Sequence, residues 1–405
     1  MTKVSTDKKK IEEILTRAVD EVIVENNLRK RLMAGDMLRI KFGIDPTAPD
    51  IHLGHTVSLR KLQQFQELGH QAVLIIGDFT ATVGDPSGRN EMRKQLTDNE
   101  IKSNLKTYLK QAGKVLDLKK VEIHYNGEWF KKADALKLYE LTSKVSIQRA
   151  MERDDFQKRI AEGRDVSMLE IIYPLLQGYD SVMVKADVEI GGRDQKFNLL
   201  MGRRVQRAYD MAEQDIMTTW LIEGTDGVRK MSKSFGNYIG VTEPPESMYG
   251  KIMSIPDDLI VKYFRALTDV PNEEVDEMLK LSRTMGSSWD PRSVKARLAR
   301  EIVSLYHDKK AGDVAEEEFN RVFKSKGLPE DIKEVKVSKS NMNILDLLME
   351  TKLVSSKGEA RRVVEQGGVK VDGKVVSDIS ASIEIKKDGT LIQKGKKTFL
   401  KVIVK

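Results

Sequence analysis

The chain has 405 residues, of which 40% are hydrophobic and 32% charged, and its formal net charge is +7. This length and apolar content are typical of a globular protein with two or three domains. The absence of cysteine excludes disulfides and thiolate metal sites, and the 5 histidines are too scattered for a metal cluster, so we expect no protein-bound metal. We also expect no organic cofactor.

The first 36 residues are predicted to be helical. Lys8–Lys10 lead directly into a mixed segment in which Ile11, Ile14 and Ala18 recur at helical spacing. This segment lacks an apolar core of signal-peptide length, and no apolar run in the sequence approaches the length of a membrane span. We therefore expect a cytoplasmic protein.

Residues 38–76 predict a strand, a helix and a second strand. Leu38, Ile40 and Phe42 alternate with basic residues, and turn residues then break that pattern. Apolar residues next recur at helical spacing as far as Gly69, and residues 72–76 form a short apolar strand. Because ligands of open α/β sheets bind at the carboxyl ends of the strands, we expect a ligand near the start of this helix.

His52 and His55 lie at this ligand-binding end, three residues apart and therefore on one face of the helix. Both imidazoles can donate hydrogen bonds to one ligand. The free N–H groups and the dipole at the helix start favour an anion without requiring a charged histidine. The pattern predicts a site for the phosphates of a nucleotide, and the alternative is a pair of unrelated surface histidines.

Tyr173, Gln177 and Asp180 are spaced to form a polar stripe on one side of an otherwise apolar helix. Polar groups inside an apolar segment need hydrogen-bond partners, so the stripe indicates either a binding site or a buried internal network. Pro174 is expected to start or to kink this helix.

Three other segments are ambiguous when each is considered alone. Residues 85–88 have the composition of an ordinary β-turn, and residues 191–195 that of a loop that opens a helix. Lys230 and Lys233 lie between Gly227 and Gly236, which indicates either an exposed basic loop or a mobile segment that closes over phosphate.

From residue 243 to about residue 326 the pattern is helical throughout. One of these helices is predicted to begin with Asp290 as its N-cap and Pro291 in its first turn. Residues 327–341 are polar, contain Pro329 and are predicted to form a linker.

Residues 342–405 predict a small basic domain. Two short helices are expected in residues 343–365, followed by a hairpin around Asp372 and Gly373, a favoured type I′ pair. The domain holds 13 Lys and Arg against 8 Asp and Glu, whereas the rest of the chain is almost neutral. This charge indicates that it binds a polyanion such as RNA, although a merely soluble tail fits the composition about equally well.

Two of these segments, HLGH (52–55) and KMSKS (230–234), resemble the signature pair of the class I aminoacyl-tRNA synthetases. Four longer motifs narrow the resemblance to the bacterial tyrosyl-tRNA synthetase family: GIDPTAPDIHLGH (43–55), GDPSG (84–88), YPLLQGYD (173–180) and IGGRDQKFN (190–198). The resemblance spans nearly the whole chain. It implies an α/β fold with a Rossmann-like doubly wound parallel sheet.

The resemblance also implies a division into domains. Residues 1–240 are expected to form the catalytic domain, in which a helical insertion at 129–164 helps to form a homodimer. Residues 241–326 are expected to be a helical anticodon-side domain. After the linker at 327–341, residues 342–405 are expected to form an α+β domain of the αL type, which binds RNA.

The implied reaction joins tyrosine to its tRNA. L-Tyrosine and Mg²⁺-ATP give tyrosyl-adenylate and pyrophosphate, and the tyrosyl group then passes to the 3′-terminal ribose of tRNA(Tyr). The reaction needs no protein nucleophile, so the enzyme positions the substrates and stabilises charge on the phosphate oxygens. The expected partners are ATP, L-tyrosine, tRNA(Tyr) and a second copy of the chain, with no membrane.

The roles of individual residues are carried over from the family's motifs. The expected catalytic residues are His52, His55, Lys230 and Lys233. The expected ATP-binding residues are Asp45, Thr47, His52, Gly54, His55, Gly192, Asp194, Met231, Ser232, Lys233 and Ser234. The expected tyrosine-binding residues are Asp85, Tyr173, Gln177, Asp180 and Gln195, among which Asp180 accepts the phenol proton. The expected RNA-binding residues are Arg361, Arg362, Lys370, Lys374, Lys396 and Lys397.

Two positions depart from the best-known members of the family. Lys41 stands where they have a tyrosine that also contacts the substrate phenol, so half of the expected phenol site is missing or replaced. Arg193 stands where a small hydroxyl residue is usual.

Three other functions remain open at this point. The tryptophan enzyme shares the fold and both signatures, but an indole does not call for the stripe at 173–180. A small nucleotidyltransferase with an HxGH site has no use for KMSKS or the basic domain. An RNA-binding protein with a retired catalytic body has no need for the intact histidines and lysines.

Overall fold

The computed structural model describes residues 4–87, 96–284, 289–323, 332–386, 389–395 and 398–404. The chain forms two compact units, which meet in the sequence between Glu316 and Glu317. Residues 241–316 therefore belong to the same unit as residues 1–240, and the finer boundary at residue 240 stays a prediction.

A six-stranded sheet forms the centre of the amino-terminal unit, with the strand order β1-β6-β5-β2-β3-β4. The strands are β1 (Val19–Ile23), β2 (Arg39–Ile44), β3 (Gln71–Ile76), β4 (Val121–Tyr125), β5 (Val188–Gly192) and β6 (Asp215–Thr219). Strands β2 to β6 are parallel to their neighbours, and β1 is antiparallel to β6.

The helices of this sheet region connect successive strands, except α1, which precedes β1. They are α1 (Lys8–Thr16), α2 (Glu25–Ala34), α3 (Leu53–Glu67), α4 (Thr80–Val83), α5 (Asp98–Ala112), α6 (Gly127–Phe130), α7 (Ala135–Ser143), α8 (Ile147–Ala150), α9 (Asp154–Ala161), α10 (Met168–Met183) and α11 (Lys196–Ala208). The predicted α/β class with a doubly wound parallel sheet is confirmed.

The predicted unit of β2, α3 and β3 is also confirmed. The apolar residues of β3 are all buried. A continuous apolar run of this kind is typical of a strand that is covered on both faces of its sheet. Gly69 has a φ of 95°, the left-handed conformation that ends a helix. The strand order reverses between β2 and β5, so the ligand-binding crevice is expected at the carboxyl ends of these two strands.

The prediction that residues 1–36 are all helical is wrong for residues 19–23. These residues form β1, which pairs with β6 at the edge of the sheet. Ala18 and Val24, on either side of the strand, have positive φ values of 52° and 64° and interrupt the helical course of the chain. The apolar residues of the short strand, Val19, Val22 and Ile23, have helical spacing, so periodicity indicated a helix here.

The insertion predicted at 129–164 consists of short helices. Asp134 caps α7 by accepting a hydrogen bond from the backbone N–H of Lys137 at 3.0 Å, and helix α9 begins with Asp154 and Asp155 in its first turn. An N-cap and acidic residues in a first turn both favour the start of a separate helix, so the segment is divided.

The residues after the sheet are helical, as predicted. They form α12 (Pro245–Met253), α13 (Ile260–Leu267), α14 (Asn272–Thr284), α15 (Pro291–Tyr306) and α16 (Lys309–Phe323). Asp290 caps α15 by accepting a hydrogen bond from the Arg292 N–H at 3.1 Å, and Pro291 is the first helical residue. In the described residues, no helix is both long and apolar enough to cross a membrane.

The carboxyl-terminal unit is an α+β domain. Its strands are β7 (Lys333–Val337), β8 (Asn341–Asn343), β9 (Val369–Val371), β10 (Lys374–Val376), β11 (Ser382–Glu384), β12 (Thr390–Lys394) and β13 (Thr398–Val404). Five strands form one sheet in the order β10-β9-β12-β13-β7, and β11 pairs with β8. Two helices, α17 (Ile344–Glu350) and α18 (Lys357–Glu365), pack on an apolar core that includes Leu347 and Val364.

Two predictions for this unit have different outcomes. The type I′ hairpin is confirmed, because Asp372 and Gly373 have φ values of 47° and 80° between β9 and β10. The linker predicted at 327–341 is wrong for residues 333–337, which form β7 and pair in parallel with β13. Val335 and Val337 alternate with charged residues there, a strand pattern that the overall polarity of the segment concealed.

Candidate active site

The two histidines of HLGH lie at the start of α3, close after the carboxyl end of β2. Their rings stack with centroids 3.7 Å apart, and His55 Nδ1 accepts a hydrogen bond from the His52 N–H at 3.3 Å. Burial lowers the pKa of His55 to about 4 and the pKa of His52 well below its ordinary value. Both imidazoles are therefore neutral at physiological pH and can still donate an N–H to a phosphate oxygen.

The glycine between the histidines keeps this turn compact. A Cβ added to Gly54 would lie 3.0 Å from the ring of His52 and 3.5 Å from Cβ of Met231. The second distance also shows that the KMSKS segment lies directly against the HLGH segment. Met231 is buried at this contact.

Both lysines of KMSKS are paired with aspartates at the same edge of the sheet. Lys230 Nζ lies 2.8 Å from Asp194 Oδ2, and Lys233 Nζ pairs with Asp50. Their charges lower the pKa of His55 further, after burial, so the four predicted catalytic side chains are close enough to interact. In the same segment Ser232 is half-buried and Ser234 is exposed.

Asn237 holds the KMSKS segment in shape, a role that the sequence did not indicate. Its side-chain oxygen accepts the Ser232 N–H at 2.8 Å, and its amide nitrogen donates to the carbonyls of Arg229 and Lys230 at 3.2 and 3.3 Å. A Cβ added to Gly224 would lie 2.3 Å from Asn237, so this close approach requires glycine. Asn237 and its partners follow no sequence pattern from which these contacts could have been predicted.

The polar stripe predicted at 173–180 lies on α10. This helix begins at Met168 with Ser167 as its N-cap, so Pro174 lies in its interior and does not start it. Tyr173 and Asp180 are buried and Gln177 is half-buried.

No hydrogen bond of the described residues joins two members of the stripe directly. Tyr173 donates its hydroxyl to Asp45 Oδ2 at 3.0 Å, and Gln177 donates its amide to Glu189 Oε1 at 3.1 Å. Tyr173 therefore bonds to the residue that follows β2, and Gln177 bonds to a residue inside β5.

Asp180 is held by two donors that the sequence analysis missed. Trp129 Nε1 donates to Asp180 Oδ1 at 2.9 Å, and Asn126 Nδ2 donates to Oδ2 at 3.2 Å. Burial nevertheless raises the pKa of Asp180 to about 7. Asn126 directly follows β4, so the rule that ligands bind at the carboxyl ends of strands could have marked it as a candidate.

A chain of hydrogen bonds connects the two ends of the stripe. Asp45 also accepts the Thr80 hydroxyl at 2.8 Å, and Asn126 donates to the same hydroxyl at 2.9 Å as well as to Asp180. Thr47 lies in the turn after Asp45 and donates its N–H to the Asp45 carbonyl at 2.7 Å. The carboxyl ends of β2, β3 and β4 thus form one continuous wall of the site.

A second wall follows β3 and β5. Gln195 Nε2 donates to Asp85 Oδ2 at 2.7 Å, and Asn198 donates to the other oxygen of Asp85 at 3.3 Å. Gly192 ends β5, and a Cβ there would lie 2.8 Å from Asp194 Oδ1. The motifs GDPSG and IGGRDQKFN are therefore adjacent in space, although Gly88 of the first lies outside the described residues.

The unusual Arg193 does not line these walls. Its side chain is 71% exposed and lies 3.8 Å from Asp20.

Most of the residues predicted to bind RNA lie on the surface of the carboxyl-terminal unit. Arg361 and Arg362 of α18 and Lys374 of β10 are exposed, and Lys370 of β9 is half-buried. Lys396 and Lys397 lie outside the described residues. The described part of the surface therefore presents cations from a helix and from the type I′ hairpin.

Two family models match the chain. Residues 33–324 match the class I tRNA synthetases for tryptophan and tyrosine, and residues 324–402 match the C-terminal domain of tyrosine–tRNA ligases. The chain belongs to the class I tRNA synthetase family. The resemblance predicted from the motifs is thus confirmed, and this family's fold accounts for the sheet, the two signatures and the carboxyl-terminal domain together.

Curated relatives extend the match over nearly the full length. The chain is 48% identical to a tyrosine–tRNA ligase of Thermotoga maritima, over 96% of each chain. It is 47% identical to a tyrosine–tRNA ligase of Moorella thermoacetica, over 96% of this chain and 94% of the relative.

Solved structures of this family share the fold. A C-terminally truncated mitochondrial tyrosyl-tRNA synthetase of Aspergillus nidulans superposes with a TM-score of 0.65 at 23% identity, over 78% of this chain and 94% of that one. The tyrosyl-tRNA synthetase of Archaeoglobus fulgidus complexed with L-tyrosine gives a TM-score of 0.60 at 23% identity, over 75% and 98%.

Proposed function

We propose that this chain is a tyrosine–tRNA ligase, which activates L-tyrosine with ATP and then transfers the tyrosyl group to the 3′-terminal ribose of tRNA(Tyr). Relatives at 47% and 48% identity carry that name. The observation that carries the proposal is the buried carboxylate of Asp180, on the same sheet edge as both signatures. A carboxylate has about four acceptor sites, and the two donors Asn126 and Trp129 leave room for a phenol O–H.

The same arrangement supports the choice of tyrosine over phenylalanine. A phenylalanine ring at Asp180 would offer no donor and would desolvate the carboxylate without replacing its water. Tyrosyl-tRNA synthetase is the standard example of a site that rejects an analogue lacking one hydroxyl, so we derive no magnitude from it.

In the first step the tyrosine carboxylate attacks the α-phosphorus of ATP, and pyrophosphate leaves. Negative charge grows on the phosphate oxygens in the transition state. We assign the neutral imidazoles of His52 and His55 and the ammonium groups of Lys230 and Lys233 as the donors that stabilise this charge. Such groups are most effective when they are held in place before the reaction, as the stacked histidine rings are.

The triphosphate must compete for the two lysines. In the free protein Lys230 is paired with Asp194 and Lys233 with Asp50. A polyanion offers these ammonium groups more negative charge than one carboxylate does. We therefore assign Asp194 to the ribose of ATP once Lys230 has moved to the phosphates, with Gly192 allowing the close approach.

Mg²⁺ is assigned to the incoming ATP and not to a protein site. Mg²⁺ prefers oxygen ligands, which the phosphates of ATP supply, and the two carboxylates at the phosphate end, Asp50 and Asp194, are each paired with a lysine. In the described residues, no cluster of three or more His, Asp or Glu side chains could hold a metal ion.

We assign the α-amino group of tyrosine to Tyr173, Gln177 and Asp85, and its carboxylate to Gln195. Tyr173 and Asp85 lie on the two walls of the site, through their bonds to Asp45 and Gln195 respectively. We therefore assign the amino acid to the space between the walls, with the ring toward Asp180 and the carboxylate toward the signatures.

We also propose a homodimer formed through the insertion. Large apolar side chains there are half or more exposed, which is unusual for a monomer surface. They include Leu136, Tyr139, Ile147 and Ile160. Light scattering on the purified protein is expected to give the mass of two chains, and the mass of one chain would contradict this assignment.

The carboxyl-terminal unit is proposed to bind the tRNA. The exposed cations on α18 and on the hairpin can contact phosphates, and such contacts position an RNA without reading its sequence. Tyrosine charging of a tRNA(Tyr) transcript, with transcripts for phenylalanine and tryptophan as controls, tests the whole proposal. We expect tyrosine to be joined to tRNA(Tyr) and to neither control. The proposal would be overturned if tyrosine were joined to none of the three transcripts.

A further inference from the structure

An ion pair lies fully buried beneath the tyrosine site. Lys41 of β2 and Glu189 of β5 face each other across the two neighbouring parallel strands, and their side chains are 0% and 1% exposed. Lys41 Nζ lies 2.9 Å from Glu189 Oε1. The lysine that replaces the family's usual tyrosine is therefore engaged with a carboxylate on the adjacent strand.

Every donor of this lysine is used. Its ammonium group also donates to the Gln177 carbonyl and to the Ser181 hydroxyl, each at 2.8 Å. An ammonium group has three N–H donors, and these two bonds together with the ion pair account for all three. The side chain is thus fixed against α10, the helix that carries the polar stripe.

The carboxylate of Glu189 is equally well satisfied. It accepts hydrogen bonds from the Gln177 amide at 3.1 Å, from the Ser181 hydroxyl at 3.2 Å and from the amide of Gln214. A Cβ on Gly202 would lie 2.6 Å from that Gln214 amide, so glycine is needed to admit it. A buried ion pair adds little net stability over apolar residues, and so complete a set of partners indicates a role in fixing one arrangement.

The arrangement that is fixed is the orientation of the Gln177 amide. A carboxylate can only accept, so Glu189 requires the NH₂ end of the amide to face it. The amide oxygen of Gln177 is then on the other end and has no hydrogen-bond partner in the described part of the chain. An oxygen acceptor without a partner suits an ammonium group.

We propose that the buried pair Lys41–Glu189 orients the Gln177 amide with its oxygen toward the substrate, and thereby makes the site selective for an amino acid that carries an α-ammonium group. The inference rests on the proposed function. Lys41 and Glu189 are positioning residues that act through Gln177 and do not touch the substrate. The pair accounts for Lys41 as a structural solution different from the usual tyrosine.

The test compares two ligands that differ only in the ammonium group. L-Tyrosine and 3-(4-hydroxyphenyl)propionate share the phenol and the carboxylate, and the second lacks the α-ammonium. Their dissociation constants are measured by calorimetry on the full chain and on Glu189→Gln. Because a glutamine at 189 can donate as well as accept, it no longer dictates which end of the Gln177 amide faces it.

We expect Glu189→Gln to weaken the binding of L-tyrosine by about 10- to 100-fold, because one hydrogen bond to a charged group is lost. The dissociation constant of the propionate should change by less than about threefold. The double variant Lys41→Met/Glu189→Gln leaves no unpaired buried charge, so it takes the place of the single variant in this test if the single variant does not fold. It is expected to show the same selective loss of tyrosine.

The matched control is Glu170→Gln, which breaks another buried ion pair of α10, with Arg159 Nη1 at 2.8 Å, away from Gln177. Glu170→Gln is expected to lower the melting temperature. It should weaken the binding of both ligands equally or leave the binding of both unchanged. Equal weakening of the two ligands by a folded Glu189 variant, or no weakening, would overturn the inference. Failure of the unaltered chain to bind tyrosine at all would instead overturn the proposed function.

Discussion

Trp129 donates its indole N–H to Asp180 at 2.9 Å, which brings the segment after β4 against the last polar residue of the α10 stripe. Together with Asn126, it keeps the carboxylate oriented in a site from which most water is excluded. A phenol that enters this site meets an acceptor that is already in position, and this is the basis of the predictions on substrate choice.

Replacing Asp180 by asparagine is expected to lower kcat/KM for tyrosine by about 10- to 100-fold, because one hydrogen bond to a charged group is lost. The value for phenylalanine should fall much less or rise, since the neutral amide no longer resists an apolar ring. Steady-state ATP–pyrophosphate exchange measures both. Asp215→Asn, at another buried aspartate bonded to Asn27, is the control and should leave the ratio of the two values unchanged.

Tyrosine affinity is expected to depend on pH through Asp180. Burial raises the pKa of this carboxyl group to about 7, whereas aspartate in an unfolded chain titrates near 4. Asp180 therefore makes a contribution to the free energy of unfolding that is fully present below about pH 4. This contribution is lost as the pH rises through 7.

The phenol O–H binds to the ionised form of Asp180. Tyrosine binding is therefore expected to strengthen as the pH rises, whereas the contribution of Asp180 to stability weakens. With a pKa near 7, the ionised fraction grows about tenfold between pH 6 and pH 8, and the dissociation constant of tyrosine should fall by about that factor. Calorimetry at the two pH values measures it. The account would be contradicted if Asp180→Asn showed the same pH dependence as the unaltered chain.

Single replacements of His55 or Lys233 by alanine are expected to slow adenylate formation about 100- to 1000-fold with little change in tyrosine affinity. Both side chains are assigned to charge that develops only in the transition state. Pre-steady-state formation of the adenylate separates rate from binding. His307→Ala, at the end of α15, is the control, and equal losses of rate and affinity in the His55 and Lys233 variants would refute the assignment.

Removal of the carboxyl-terminal unit should separate the two half-reactions. A chain that ends at residue 323 is expected to keep its rate of ATP–pyrophosphate exchange and to lose at least about tenfold in tRNA charging, since several phosphate contacts are lost. The cut is placed before β7, because a cut at 341 would leave this strand without its partner β13. Loss of exchange in a folded truncated chain would contradict the separation.

The part of the fold that sequence predicted best is the part with strong local signals. Residues 38–76 change from strand to helical spacing at turn residues, and Gly69 ends the helix, so β2, α3 and β3 followed directly. The stripe at 173–180 was visible because polar residues at helical spacing stand out on an apolar helix.

The local signals of the missed elements are weak or misleading. Strand β1 has only five residues, and its apolar positions have helical spacing, so its pairing with β6 decided its structure. Strand β7 is similarly specified by β13, more than 60 residues later in the chain.

The site follows the same division. The motif residues His52, Lys230 and Asp180 were assigned from the sequence, whereas their partners Asp50, Asn126 and Trp129 were not. A hydrogen bond between residues far apart in sequence leaves no periodic pattern, and it becomes visible only when the strand ends meet. Lys41 was noticed as unusual, but its partner Glu189 could be identified only from the pairing of β2 with β5.

The central claim is that this site activates tyrosine. Amino-acid-dependent ATP–pyrophosphate exchange on the purified full chain, without tRNA, tests it most directly when tyrosine, phenylalanine and tryptophan are compared at equal concentrations. The account predicts exchange with tyrosine and none above background with the other two. Exchange with tryptophan in place of tyrosine, or with none of the three amino acids, would contradict it.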